Sequence, residues 1–160
     1  MRRAIVALTV LAFLLTGCQQ ATQKAVEQAS GAQVNQKGDT VTIKGQDGQS
    51  VTISSEVPDA LKNFPAPQGF KISESGSMAG DKANGNLAMA SWQGKGSVKD
   101  VSDFYKKSMV DQGWKQESAL DAEDMSQLQY TKGQNQAVVT ISSETGGVAV
   151  QVMLTNTPAK

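Results

Sequence analysis

The 160-residue chain contains no histidine and only one cysteine. Without histidine it lacks the side chain most often used as a general base near neutral pH and as a transition-metal ligand. With one cysteine it cannot close an internal disulfide, so the fold must rest on packing. Aromatic residues make up 5% of the chain, and 15 bases face 15 acids. That balance gives no electrostatic case for nucleic acid or for an anionic membrane surface. No uncharged apolar run approaches the ~20 residues needed to span a bilayer as a helix. The sequence calls for no cofactor and no metal.

What is present begins with the amino terminus. Arg2 and Arg3 precede an uncharged, mostly apolar stretch at 4–15. As a helix that stretch is about 18 Å long, short for a span but suited to the apolar core of an export signal. It closes on Leu15-Thr16-Gly17-Cys18, which holds the only cysteine. These four residues resemble the lipobox of bacterial lipoproteins. The resemblance implies cleavage between Gly17 and Cys18, acylation of the Cys18 thiol, and a membrane partner held through that lipid. Two or more acyl chains anchor a protein stably without spanning. Gln19, not aspartate, follows the cysteine. In a cell with two membranes the resemblance then implies the outer one, with the domain facing the periplasm.

Loss of residues 1–17 removes Arg2 and Arg3 and no acid, leaving 13 bases against 15 acids. The remaining length suffices for one domain with a real core. Residues 18–37 are rich in Gln, Ala, Thr and Ser and read as a lipidated cysteine on a flexible tether. Residues 38–156 read as one α+β domain, and 157–160 as a tail. Within the domain, Val41-Thr42-Ile43 and Val51-Thr52-Ile53 flank an Asp47-Gly48 turn and predict an N-terminal β-hairpin. Val41, Ile43, Val51 and Ile53 would share one face. A helical turn is expected at 59–64, with Leu61 and Phe64 inward. Strands are expected at 70–74 and 86–93, with a polar glycine-containing loop at 76–85 between them.

The clearest helix runs over 97–112. Ser97 supplies an N-cap and Gly113 a stop. Val98, Val101, one of Phe104 or Tyr105, Ser108 and Met109 form its apolar stripe. Four strands are expected beyond it, at 114–117, 125–131, 137–143 and 148–155. The fold class is therefore an antiparallel sheet with one main helix packed on one face. The other face, assigned Ala88, Ala90, Thr140 and Gln151, is expected to meet solvent, the N-terminal hairpin or a partner.

The order of parts resembles a group of bacterial lipoproteins. The shared motifs are Thr42-Ile43-Lys44 with Asp47-Gly48, Pro58 with Phe64-Pro65-Ala66-Pro67-Gln68-Gly69, and Phe104-Tyr105 with Gly113-Trp114. The resemblance implies the fold and supplies no catalytic residue.

Candidate chemistry is sparse. Asp121, Glu123 and Asp124 form the densest acidic cluster, but they lack EF-hand spacing and its central glycine. No serine and lysine stand in an acyl-transfer motif such as S-x-x-K with K-T-G. Trp92 and Tyr105 have polar tips suited to a rim and are the candidate ligand or partner surface. Phe104 and Trp114 are assigned to the core. The expected function is a non-enzymatic, lipid-anchored cell-envelope protein whose domain meets another envelope protein or a glycan. A small-ligand or glycan-binding module is the alternative, and a histidine-free hydrolase or peptidoglycan-modifying enzyme the second.

Overall fold

Ser97 starts the main helix as its sequence requires. Its Oγ accepts from the Asp100 backbone N–H at 3.1 Å, and the helix, α1, runs Val98–Asp111. Gly113 ends it with φ of +80°, a conformation that costs a residue with a Cβ. The Gly113 N–H donates to the Val110 carbonyl and the Trp114 N–H to the Met109 carbonyl, which is the Schellman pattern. Val98, Val101, Ser102, Tyr105 and Met109 are the buried helical residues. Their spacing gives one face, directed at a sheet.

The computed structural model describes residues 32–45, 49–80 and 87–156. The sheet strands are β1 (Gln33–Lys37), β2 (Thr40–Lys44), β3 (Ser50–Ser54), β4 (Lys71–Gly80), β5 (Leu87–Gly94), β6 (Lys115–Asp121), β7 (Met125–Lys132), β8 (Asn135–Glu144) and β9 (Gly147–Asn156). Their order is β1-β2-β3-β4-β5-β9-β8-β7-β6, with every neighbour pair antiparallel. The last-made strand therefore sits inside the sheet, between β5 and β8. Helix α1 packs over β6, β7 and β8, and a 3-10 turn, Asp59–Leu61, packs over β5. The core lies beneath them, built from Leu61, Trp92, Tyr105, Met109, Leu128, Val139, Ile141, Val150 and their neighbours.

The expected hairpin is present, with Val41 opposite Ile53 and Ile43 opposite Val51. Directly opposed residues point to the same side, so the four do share a face. The sheet begins earlier than the sequence reading placed it. Gln33–Lys37, read as the end of the tether, is β1, joined to β2 by the two-residue turn Gly38-Asp39. The stretch at 76–80, read as loop, continues β4 and pairs with β3 and β5. Gly76 marks a register shift there, and a Cβ on it would lie 2.7 Å from the Ser54 carbonyl. The glycine thus serves a bulge and a close approach inside a strand. Asp47-Gly48 and the rest of that loop, at 81–85, lie outside the described residues, as do the signal and tether at 1–31 and the tail at 157–160.

One face assignment is corrected. Ala88 and Ala90 are buried on the helix-covered side together with Trp92. Small residues there leave room for the elements packed above. Thr140 and Gln151, opposite each other in β8 and β9, lie on the reverse side.

Candidate functional site

Cys18 and Gly17 lie outside the described residues. Trp92 and Tyr105 do not form a surface, since they are 4% and 0% exposed. Trp92 stands between Ile72 and Val150 across neighbouring strands. Tyr105 packs its ring against Phe104, with centroids 5.1 Å apart, and Phe64, at 6.3 Å. Large aromatic area outweighs the polar tip at both positions. Trp114 is in the core as expected, edge-on to Phe64, whereas Phe104 is only partly buried.

The acidic stretch resolves into a structural clamp. The Lys106 Nζ donates to Asp121 Oδ2 at 2.7 Å. Ser126 Oγ donates to Asp121 Oδ1 at 2.7 Å, and Ser102 Oγ lies 3.1 Å from the same oxygen. The two serine oxygens are 3.0 Å apart and buried. Hydrogen bonds from Lys106 and Ser126, and a smaller one from Ser102, outweigh desolvation and hold the Asp121 carboxyl at about 2. Lys106 is committed to the carboxylate and contacts neither hydroxyl. The network ties α1 to the β6–β7 hairpin. Glu123 and Asp124 are exposed beside it, and no group of three metal-binding side chains occurs among the described residues.

An open cleft of about 750 Å3 lies where the helix does not reach. Helix α1 covers one end of the sheet, so among the described residues it is 56–60 that stand above the β2–β5 end of the same face. Thr40, Thr52 and Ser54 line the cleft from β2 and β3. Ala79, Ala88 and Leu154 form an apolar floor, and Glu56, Val57 and Asp59 one wall. Asn135 and Asn156 close the far end, joined by a 2.8 Å bond from Asn156 Nδ2 to Asn135 Oδ1. Each amide keeps further hydrogen-bonding capacity.

The wall is held in place from below. Ser77 Oγ lies 3.1 Å from the Ser54 carbonyl and also contacts the Glu56 carbonyl. The Glu56 N–H donates to Ser54 Oγ at 3.0 Å. Leu61 and Phe64 then anchor the following turn in the core. The lining carries two acidic side chains, Glu56 and Asp59, and no base or aromatic ring. Asp59 is paired with Lys62 at 2.6 Å, and both are exposed. That hydrogen bond and charge hold the Asp59 carboxyl below the usual range. Little in the sequence marks this cleft, because its residues come from six strands and a connecting segment.

A family model described as START domain-like matches residues 70–147. The match takes in β4 to β8 and α1 and leaves out β1 to β3 and nearly all of β9. No curated protein and no solved structure is significantly similar to this chain. The similarity agrees with the observed build, a large antiparallel sheet with one helix packed on it. Most of the cleft's polar lining lies outside the matched span, so the two observations are largely independent.

Proposed function

We propose that this chain is a lipid-anchored cell-envelope protein whose sheet domain binds a small polar ligand in the cleft between β2–β5 and residues 56–60. The cleft carries the reading: an apolar floor with a few convergent hydroxyl, amide and carboxylate groups is the usual make-up of a small-molecule site. Similarity to a START domain-like model supports a ligand-binding domain. The lining favours an uncharged or positively charged ligand over an anion, since it holds acids and no base. Recognition rests on hydroxyls and amides, because no ring lines the cleft for stacking on a sugar. The protein works by binding and not by catalysis, which fits the structural role of the Ser102–Ser126–Asp121 network. No described helix is long and apolar enough to cross a membrane, and attachment is assigned to lipid on Cys18.

Two outcomes are expected. Cys18→Ser should release the protein from membrane fractions or stall it as the uncut precursor; unchanged fractionation and lipid labelling would remove the anchor. The detergent-solubilised protein should be stabilised by a member of a panel of neutral sugars, polyols and small amines. A ligand present at one hundred times its Kd adds about 2.7 kcal/mol. The double variant Thr52→Val, Asn156→Ala should lose that gain. A gain kept in the double variant would place the ligand elsewhere.

A further inference from the structure

The reverse side of the sheet carries an apolar patch that none of the described elements covers. Its centre is a row running straight across six strands. Val41 stands opposite Ile53, Ile53 opposite Met78, Met78 opposite Met89, Met89 opposite Met153, and Met153 opposite Val138. Opposed residues share a face, and so do residues two apart on one strand. Val34, Ile43 and Val51 therefore add a shorter second row beside the first. Ile43 and Ile53 are 36% and 42% exposed. Gln36, Gln129, Ser91, Gln151 and Thr140 border the patch and are polar.

We infer that this face is the contact between two copies of the chain, packed sheet on sheet. The first argument is size. The apolar rows taken with their polar border, six strands ~4.8 Å apart and three side chains deep at ~6.8 Å, cover roughly 600 Å2 in projection, about half of it apolar. Standing side chains raise the accessible area above that projection, towards the ~800 Å2 that each partner buries in a stable complex. The second argument is charge. No residue of the two rows or of the border just named is charged, and the charges just beyond it on the same side, Lys71 and Glu144, are of opposite sign, so a copy meeting its own surface brings little like-charge repulsion. An apolar centre inside a polar border is also how protein interfaces are built. A bilayer surface fits the patch less well, because it offers no lysine or arginine for headgroups and no tryptophan or tyrosine for the interfacial zone. Flexible methionines at the middle of the row adapt to an identical surface.

The test uses the full chain in intact cells. Met78→Cys and Met89→Cys place a thiol near the centre of the patch, and Lys107→Cys places one on the exposed side of α1. A short bis-maleimide should convert the first two to a species of twice the chain's mass and leave the third as monomer. Adding Ile53→Lys to either centre variant should abolish the doubled species, while the unfolding temperature stays within a few degrees because Ile53 is already exposed. Absence of the doubled species in both centre variants would overturn the inference. Capture of a protein of another mass in its place would do so too, as would equal cross-linking of Lys107→Cys.

Discussion

Tyr105→Ala is expected to lose about 3–5 kcal/mol of stability, whereas Tyr105→Phe should leave stability unchanged or raise it. The first figure is that of a large aromatic removed from a core that relaxes only partly. Tyr105 is 0% exposed and meets two other rings. The second expectation follows from the hydroxyl. Tyr105 Oη is buried and finds no hydrogen-bond partner among the described residues, as is true of Tyr130 Oη. A buried hydroxyl left unpaired costs about 1–3 kcal/mol relative to one that is hydrogen-bonded or wet. Removing it takes that cost away and keeps the ring. Urea unfolding at constant slope measures both variants. A loss above ~1 kcal/mol for Tyr105→Phe would mean that the hydroxyl is hydrogen-bonded after all.

The same burial sets the alkaline limit. Desolvation, aided by the Asp121 charge, pushes the Tyr130 phenol up to about 12 from its ordinary 10. Desolvation, aided by Tyr130, pushes Tyr105 further in the same direction. The fold thus favours the neutral phenols. Their contribution is complete below pH 10 and is lost as pH rises through about 12. The chain has only these two tyrosines, so near-ultraviolet phenolate absorbance reports them alone. It should stay flat through pH 10 and rise together with loss of secondary structure. A phenolate appearing near pH 10 in the folded protein would show an accessible ring.

How much of this was legible in the sequence depended on how local the signal was. Helix α1 was legible because Ser97 and Gly113 act within one turn of themselves. The β2–β3 hairpin was legible because β-branched residues alternate on both sides of a turn. Strand β1 carries only one β-branched residue, Val34, so its composition resembled a tether. The Gly38-Asp39 pair, two residues between two strands, was the available hint. Tyr105 and Phe104 are adjacent on a helix and differ by about 100° in direction. Which one faces inward is decided by where α1 lies over β6 to β8, and no local pattern contains that. The cleft was not legible for the same reason. Thr52, Ser54, Asn135 and Asn156 meet only because β9 enters the middle of the sheet and leaves β2 to β4 uncovered by the helix.

That insertion of β9 yields the second large effect, at Gly147. Gly147→Ala is expected to cost at least ~3 kcal/mol, the upper range for forcing an atom into a packed site. A Cβ there would lie 2.2 Å from the Gly94 carbonyl oxygen and 3.2 Å from its carbon. Gly147 begins β9, and Gly94 ends β5, paired with Val148. The obstacle is backbone, so no rotamer change relieves it, and the two strands must part where the sheet is central. Gly94 makes a useful contrast. Its Cβ would meet the Phe70 ring at 2.3 Å, a side chain that is only partly buried. Gly94→Ala should therefore be recovered in large part by Phe70→Ala, while no single truncation should recover Gly147→Ala. Gly133 separates space from backbone angle. Its φ is +60° and nothing lies within 4 Å of its would-be Cβ, so Gly133→Ala should lose only about 1 kcal/mol. Denaturant midpoints of the three variants rank these costs. A Gly147→Ala loss no larger than that of Gly133→Ala would mean that β5 and β9 do not approach so closely. The insertion that leaves the cleft open at β2 to β4 would then have to be redrawn.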